Sequence, residues 1–406
     1  MLKYRIGDTY HRGDKMALLK DLIVEITKRN HEGKELPLLG VNKDKEFMPS
    51  VANVIGTDLS NYKIVKKRQF ATNLMHVDRD EMVPVSMLED YDEALISPAY
   101  NVFQVKDEKI VIPEYLLLCF KRSEFDRCAW FYSGSSIRGN LDYKKFLEID
   151  IPLPDIDKQK KIIDDYKAIQ KEIRIKEVIN NNLFEQLSLL YRNKLLKGLS
   201  LKNIESLSLP EEFKIDKIGK YCSVKSGYAF KSDWWNQTDG KKVIKIGNIT
   251  QNSIDLKECD LVPDKHLMKA SMFAVSNYDM LIALTGATIG KIGFIPECDE
   301  ILYVNQRVGK FFFDSDSINK IPFIYCTLMQ QEYLSKIISK SEASSAQANM
   351  SGDDIENLQI IYPNSNEIEA FNDYAGIIFK TIGKNIAIIN NLLELKAYIL
   401  SNIAKQ

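Results

Sequence analysis

DIDKQKKIIDDYKAIQKEIRIKEVINNNLFEQLSLLYRNKLL, running from Asp155 to Leu196, decides how the rest of the chain is read. It contains no Gly and no Pro, and its apolar residues recur at helical spacing. Ile162, Tyr166, Ile169 and Ile173 step by four, three and four residues, and Leu183, Leu187 and Leu190 resume the seam. Polar Lys176 and Asn180 interrupt it. Such a stripe makes a helix seek a partner helix. About forty residues at 1.5 Å each predict a rod of roughly 60 Å. Pro152 and Pro154 stand just before the stretch and Gly198 just after it, as start and stop signals.

A second rod is expected from Glu367 to Ala404, with Ile368, Phe371, Ile378, Ile382, Ile386, Ile389, Leu393 and Leu400 on its seam. LEIDIP (Leu147–Pro152) matches LQIIYP (Leu358–Pro363), and NNLFEQL (Asn181–Leu187) matches NNLLELK (Asn390–Lys396). The correspondence extends upstream. Ile6-Gly7 matches Ile218-Gly219, Gly33–Asn42 matches Gly240–Ile249, and Tyr62–Leu74 matches Met272–Leu284. Ile96–Val105 matches Val304–Phe313, and Ile112–Phe120 matches Ile321–Met329. A nearly constant offset, always in order, marks a tandem duplication of a unit of about 200 residues. Each unit reads as strand-rich, then helical. The turn TGATIGK (Thr285–Lys291) lies between strand candidates Leu281–Leu284 and Ile292–Ile295, and amphipathic helices are expected after Pro113 and Pro322. Loops are expected at 132–141 and 344–351, and a linker at 197–210.

The chain of 406 residues is long for one domain, and 45% apolar with 27% charged residues is ordinary for a globular protein. A formal net charge of −1 means that any basic face must be local. Six cysteines (119, 128, 222, 259, 298 and 326) form no CxxC pair, which predicts free thiols in a reducing compartment. No apolar run suits a membrane span and the N-terminus is too polar for a signal peptide, so a cytoplasmic location is expected.

No catalytic motif fits the sequence. In TGATIGK, Gly286 and Gly290 are three residues apart and Lys291 precedes Ile292, where a phosphate loop needs four residues and then Lys-Ser/Thr. Histidines 11, 31, 76 and 266 are scattered, and no metal or nucleophile constellation is expected. What the sequence does offer is positive charge in segments without acids. One carries Lys63, Lys66, Lys67 and Arg68, another Lys241, Lys242 and Lys245, and a third Asn305, Gln306, Arg307 and Lys310. Lys and Arg neutralise phosphates, while Arg, Asn and Gln can make paired bonds to purine edges. A solvated strand face is the alternative for such charge. Tyr228, Trp234 and Trp235 read as core residues.

Several segments of the second repeat resemble the specificity subunits of type I restriction–modification systems. They are KIGKYCSVKSGYAFKS (Lys217–Ser232), VIKIGNI (Val243–Ile249), ALTGATIGKIGFI (Ala283–Ile295), VNQRVGKF (Val304–Phe311) and SAQANMS (Ser345–Ser351). The first repeat matches less well, with ISPAYNVF in place of VNQRVGKF. The resemblance implies an α+β fold: a tandem repeat of two mixed α/β target-recognition domains, each followed by a long helix, the two helices packed as an antiparallel coiled coil. The expected domains are 1–154 and 213–364, with spacer helices at 155–198 and 365–406 and a linker at 199–212. The resemblance further implies double-stranded DNA as ligand, and the acid-free segments supply the contact candidates Lys66, Lys67, Arg68, Lys241, Lys242, Lys245, Asn305, Gln306 and Arg307. Two methyltransferase subunits and restriction (motor) subunits are the implied partners. S-adenosylmethionine is expected on the methyltransferase partners, and no cofactor, metal or catalytic residue in this chain. A stand-alone DNA-binding or architectural protein with a coiled-coil spacer is the alternative.

Overall fold

The computed structural model describes residues 15–51, 57–75, 77–134, 139–202, 209–235, 238–250, 252–342 and 349–403. Ile6-Gly7, His11, His76, most of the 344–351 loop and parts of the 132–141 loop and the 197–210 linker lie outside them. Two compact units emerge, Met1–Glu172 with Leu392–Gln406, and Ile173–Asn391.

Each unit repeats one strand plan. The first unit has an inner sheet in the order Ile23–Ile26, Asn101–Val105, Phe70–Thr72, Val85–Met87, and an outer sheet in the order Phe47–Pro49, Leu38–Val41, Glu93–Ile96, Lys63–Lys66. The second unit has an inner sheet Ser223–Ser226, Val308–Phe312, Met280–Ala283, Ile292–Phe294, and an outer sheet Asp260–Val262, Lys241–Ile244, Leu302–Val304, Ala274–Val275. In both outer sheets the central pair is parallel and the other pairs are antiparallel. A short ladder ties the start of each unit to the strand before its long helix: Met16–Leu18 with Asp150–Pro152, and Lys214–Lys217 with Gln359–Tyr362. The register refines the internal alignment. Leu39 pairs with Ile96 and Ile244 with Val304, so Leu39 rather than Pro37 is the counterpart of Ile244. A slip of two residues keeps every side chain on its face.

Side-chain alternation builds three layers. In the first unit Ala71 and Val102 face the outer sheet, while Phe70 and Phe103 face the helices. In the second, Leu281, Ala283 and Val308 face the outer sheet, and Met280, Ile282 and Phe311 face the helices. The inner sheet is therefore buried on both sides. The helices Pro113–Phe120 and Ile321–Leu328, expected to be amphipathic, are instead buried almost all round, because they are enclosed in the cluster of inner sheet and long helix.

The long helices span Ile156–Leu190 and Ser365–Asn402. Asp155 caps the first, its carboxylate accepting the Lys158 amide at 2.9 Å, and Asn364 caps the second through the Asn366 amide at 3.1 Å. The first widens into a π turn at Tyr191–Leu195 and stops at Lys197 and Gly198, both with positive φ. Of the expected seam, Ile162, Tyr166, Ile169, Ile173 and Leu187 are buried. In the first unit, Ile399, Leu400 and Ile403 join the cluster of Ile162, Ile163 and Tyr166, and the Lys396 ammonium lies 4.9 Å from the Tyr166 ring centre. In the second, Phe184 meets Phe379 and Tyr191 meets Phe371, so one helix advances as the other recedes. The packing is antiparallel.

Buried amides fix these helices. Gln159 donates to the Ile110 and Pro154 carbonyls and accepts the Ile112 amide at 3.0 Å. Asn372 accepts the Phe323 amide at 2.9 Å and donates to the Tyr221 hydroxyl. Each long helix thus satisfies an N–H left without a partner at the start of a buried helix. Asn180, which interrupts the seam, accepts a hydrogen bond from Asn385 at 2.9 Å, both side chains buried. A matched polar pair in an apolar seam fixes register at a cost in stability. Asn180→Leu alone strands the Asn385 amide and should destabilise the chain by about 1–3 kcal/mol. The double replacement Asn180→Leu/Asn385→Leu should recover most of that loss, as read from denaturant midpoints. Equal loss in the double variant would mean that the pair does not act as a unit.

Candidate nucleic-acid interface

Three residues, Asn305, Gln306 and Arg307, carry the second unit's chain from outer to inner sheet, between strands Leu302–Val304 and Val308–Phe312. Their backbone amides are all engaged. The Asn305 amide donates to the Ile244 carbonyl and the Gln306 amide to that of Tyr228, both at 2.9 Å, while the Arg307 carbonyl accepts the Leu284 amide at 3.0 Å. The Asn305 side chain accepts the Arg307 amide at 3.2 Å and so braces the turn. Gln306 and Arg307 point into solvent, and neither side chain has an ion pair or hydrogen bond among the described residues.

The segments that carry the family resemblance meet around this turn. At Gly227 an added Cβ would lie 2.2 Å from the Val304 carbonyl oxygen, so only glycine lets Ser226–Phe230 pass. A Cβ at Gly286 would touch Ile246 at 3.6 Å, Thr285 bridges to Asn349, and the Met350 amide donates to the Leu284 carbonyl at 2.9 Å. TGATIGK is the connection of a hairpin, with Met280 opposite Phe294 and Ile282 opposite Ile292. These segments form a frame. In the first unit the equivalent crossover uses Tyr100, whose hydroxyl accepts the Val41 amide and whose carbonyl accepts the Lys63 ammonium at 2.6 Å. Partial burial lowers the Lys63 pKa, partly offset by Glu25.

The lysines and arginine chosen for lying in acid-free segments are less free in space. Lys66 lies 3.3 Å from Glu93, its partner across the ladder, and Lys242 lies 2.8 Å from Glu300. Lys245 pairs with Asp260 while its ammonium sits 3.8 Å above the Trp235 ring. Arg68, at φ +66°, is clasped by Glu114 and by Glu108 at 2.8 Å. Lys310 is held 2.7 Å from Asp279 and donates to the Ala274 carbonyl. Strand pairing brings in carboxylates from distant sequence, and each cancels charge a phosphate would otherwise meet. Lys67 is exposed and Lys241 half-buried, and neither ammonium has an ion pair among the described residues.

Tyr228, Trp234 and Trp235, expected in the core, are only half-buried and pack around Phe230. Trp234 stacks on His266 with ring centres 4.2 Å apart and planes 6° apart, a pairing for which the sequence carries no signal. Lys45 is a buried cation of the first unit, with Asp126 at 2.7 Å; burial lowers its pKa and the carboxylate counters this. Burial pushes the Cys119 thiol up to about 12 and Cys128 to about 11, which leaves little thiolate near neutrality. Among the described residues no group of three His, Cys, Asp or Glu could hold a metal ion.

The family model described as Type I restriction modification DNA specificity domain matches residues 23–185 and again 210–397. The chain belongs to this family. The MjaVIII type I restriction enzyme specificity subunit of Methanocaldococcus jannaschii is 28% identical over 267 residues, 63% of this chain and 59% of that protein. The chain thus spans less than two thirds of the length of the relatives it matches, since the EcoAI specificity subunit of Escherichia coli, 26% identical, aligns over 31% of this chain and 21% of its own. The crystal structure of the type I restriction–modification S subunit from M. genitalium has the same fold, with a TM-score of 0.57 at 12% identity, covering 98% of this chain and 97% of that one. The two matched segments of the family model take in both strand plans and most of both long helices.

The specificity-domain turn separates brace from tip. Asn305→Ala should lower stability by about 0.5–1.5 kcal/mol. Gln306→Ala and Arg307→Ala should stay within about 0.5 kcal/mol of the parent. Thermal unfolding checks both, and a larger loss at Arg307 would make it a structural residue.

Proposed function

We propose that this chain is the DNA specificity subunit of a type I restriction–modification complex, without catalytic activity of its own. The observation that carries this reading is the doubled specificity domain, two units with one strand plan and different surfaces. An asymmetric split DNA site calls for two similar but non-identical readers on one chain. We infer reading domains at 1–154 and 213–364, with the long helices at 155–198 and 365–406 as spacer and dock.

Arg307 and Gln306, exposed on a rigid turn, are suited to a base edge, and Lys67 and Lys241 to phosphates. Lys66, Arg68, Lys242 and Lys245 are the secondary candidates, since each must release a carboxylate to engage DNA, and Asn305 acts by shaping the turn. Two methyltransferase subunits, which would carry S-adenosylmethionine, and restriction subunits are the proposed partners. Support for docking comes from apolar side chains left exposed on the long helices, among them Val178, Tyr374 and Ile377 in the second unit. There Leu190, Leu195, Ala370, Phe371 and Tyr374 line an open apolar cleft of about 430 Å³. No described helix is long and apolar enough to cross a membrane, which accords with a cytoplasmic assembly.

Methylome sequencing of cells with and without the chain tests the reading directly. A split methylated motif should vanish with the chain, and an unchanged methylome would overturn the proposal. In the assembled complex, Arg307→Ala should cost roughly 1–3 kcal/mol of preference at one base pair. Lys67→Ala should weaken binding to all duplexes alike, which salt titrations on specific and scrambled DNA would distinguish. For docking, Ile377→Asp should abolish co-purification of a methyltransferase chain while thermal unfolding stays unchanged.

A further inference from the structure

We propose that the second unit holds the phosphates of its half-site through Lys231, Lys265 and Lys269, arranged beside the Trp234–His266 stack, in addition to Lys241 and in preference to the carboxylate-paired strand lysines 242 and 245. This rests on the DNA-reading function above and names a surface on it. The short helical turns Asp264–His266 and Met268–Phe273 bury Leu267 and Ala270 against Phe230, Val243 and Val262. That anchoring leaves Lys265, Met268 and Lys269 exposed. The neighbouring turn Ser232–Trp234 is locked to them by the stack on His266, and the Lys231 ammonium lies 5.6 Å from the Trp234 ring centre. From Phe273 the surface continues to Tyr228, 6.2 Å between ring centres, whose carbonyl holds the Gln306 amide beside Arg307.

Charge distinguishes this surface from the strand. Lys231, Lys265 and Lys269 have no ion pair among the described residues, whereas Lys242 and Lys245 each have a carboxylate partner. Asp233 and Asp264 are the acids of these two segments, so the three lysines leave a net positive strip, to which Arg307 adds. Met268 is 84% exposed and Met272 58%, apolar tips among the cations. Backbone charge beside apolar sugar edges and thymine methyls is the chemistry a duplex presents to such a surface. Aromatic packing under the strip anchors its backbone, so binding orders only the lysine side chains. The counterpart in the first unit, Leu59–Asn61 before strand Lys63–Lys66, has Asp58 as its cap and no lysine. Among the described residues the strip is a feature of the second unit, as an asymmetric site would have it.

The test uses the full complex with its methyltransferase partner, comparing parent, Lys265→Gln/Lys269→Gln, Lys265→Arg/Lys269→Arg and Lys242→Gln. Anisotropy titrations on the split-site duplex and on a scrambled duplex are run across salt concentrations. The Gln pair should weaken both duplexes several-fold and flatten the salt slope by about 0.9 per lost contact. The Arg pair should retain the parent slope, and Lys242→Gln, whose ammonium already has a carboxylate partner, should flatten it less than the Gln pair does. The split motif should still be the one methylated. An unchanged slope in the Gln pair, with the complex intact, overturns the strip and leaves the specificity function standing. Loss of partner capture in place of DNA affinity would make this a protein-docking face and also overturns it. A parent complex with no preference for the split site removes the specificity reading instead, while the scrambled duplex still reads the strip.

Discussion

Strand Met280–Ala283 buries all four of its side chains, and that double-sided burial is the constraint on which each unit's architecture depends. A strand covered on one face alternates apolar with polar residues; one covered on both must be apolar throughout and needs a layer on either side. Here one layer is the outer sheet and the other is helical. Phe70, Phe103, Phe120 and Phe146 fill the helical side of the first unit, and Phe294, Phe311, Phe323 and Phe379 that of the second. Each such side chain contributes roughly 1.5–3 kcal/mol on burial. A helix that must cover this surface cannot also be solvated all round, so the long helices are recruited into the core of the units they follow.

Apolar contact alone would allow a helix to slide. Gln159, Asn372 and the Tyr191–Thr327 hydrogen bond at 2.8 Å prevent it, because each lies buried and would lose its partner on displacement. Asn180 with Asn385 does the same between the helices in the second unit. In a chain whose family work is specificity, such matched polar contacts turn packed helices into a rigid mount.

The frame and the tips divide the labour of the proposed reading surface. Gly227, Gly286, Asn305 and the 349–350 segment consume their hydrogen bonds and close contacts on one another, while Gln306 and Arg307 project from the frame. Residues held by a rigid scaffold yet presented on loops are where binding function concentrates. Electrostatics follows the same logic. A cation with a carboxylate at 3 Å is a structural pair first, and Arg68 between two glutamates at positive φ is the clearest case.

The sequence by itself determined the duplication, the two long helices, the hairpin around TGATIGK and the family. All rest on local periodicity or on order along the chain, which need no knowledge of spatial neighbours. The seam of the first long helix was legible for the same reason, down to Ile162, Tyr166, Ile169 and Ile173. Tertiary structure alone decided which cations stay free. Lys66 meets Glu93 across a ladder, and Lys245, just past the end of its strand, meets Asp260 of the neighbouring one; no local pattern encodes either register. It also decided that Pro113–Phe120 and Ile321–Leu328 are buried all round, and that His266 stacks on Trp234. Helical periodicity reports one element's own face. The identity of what covers that face, and the sign of the charge that arrives with it, depend on segments brought from far along the chain by the folding of two sheets.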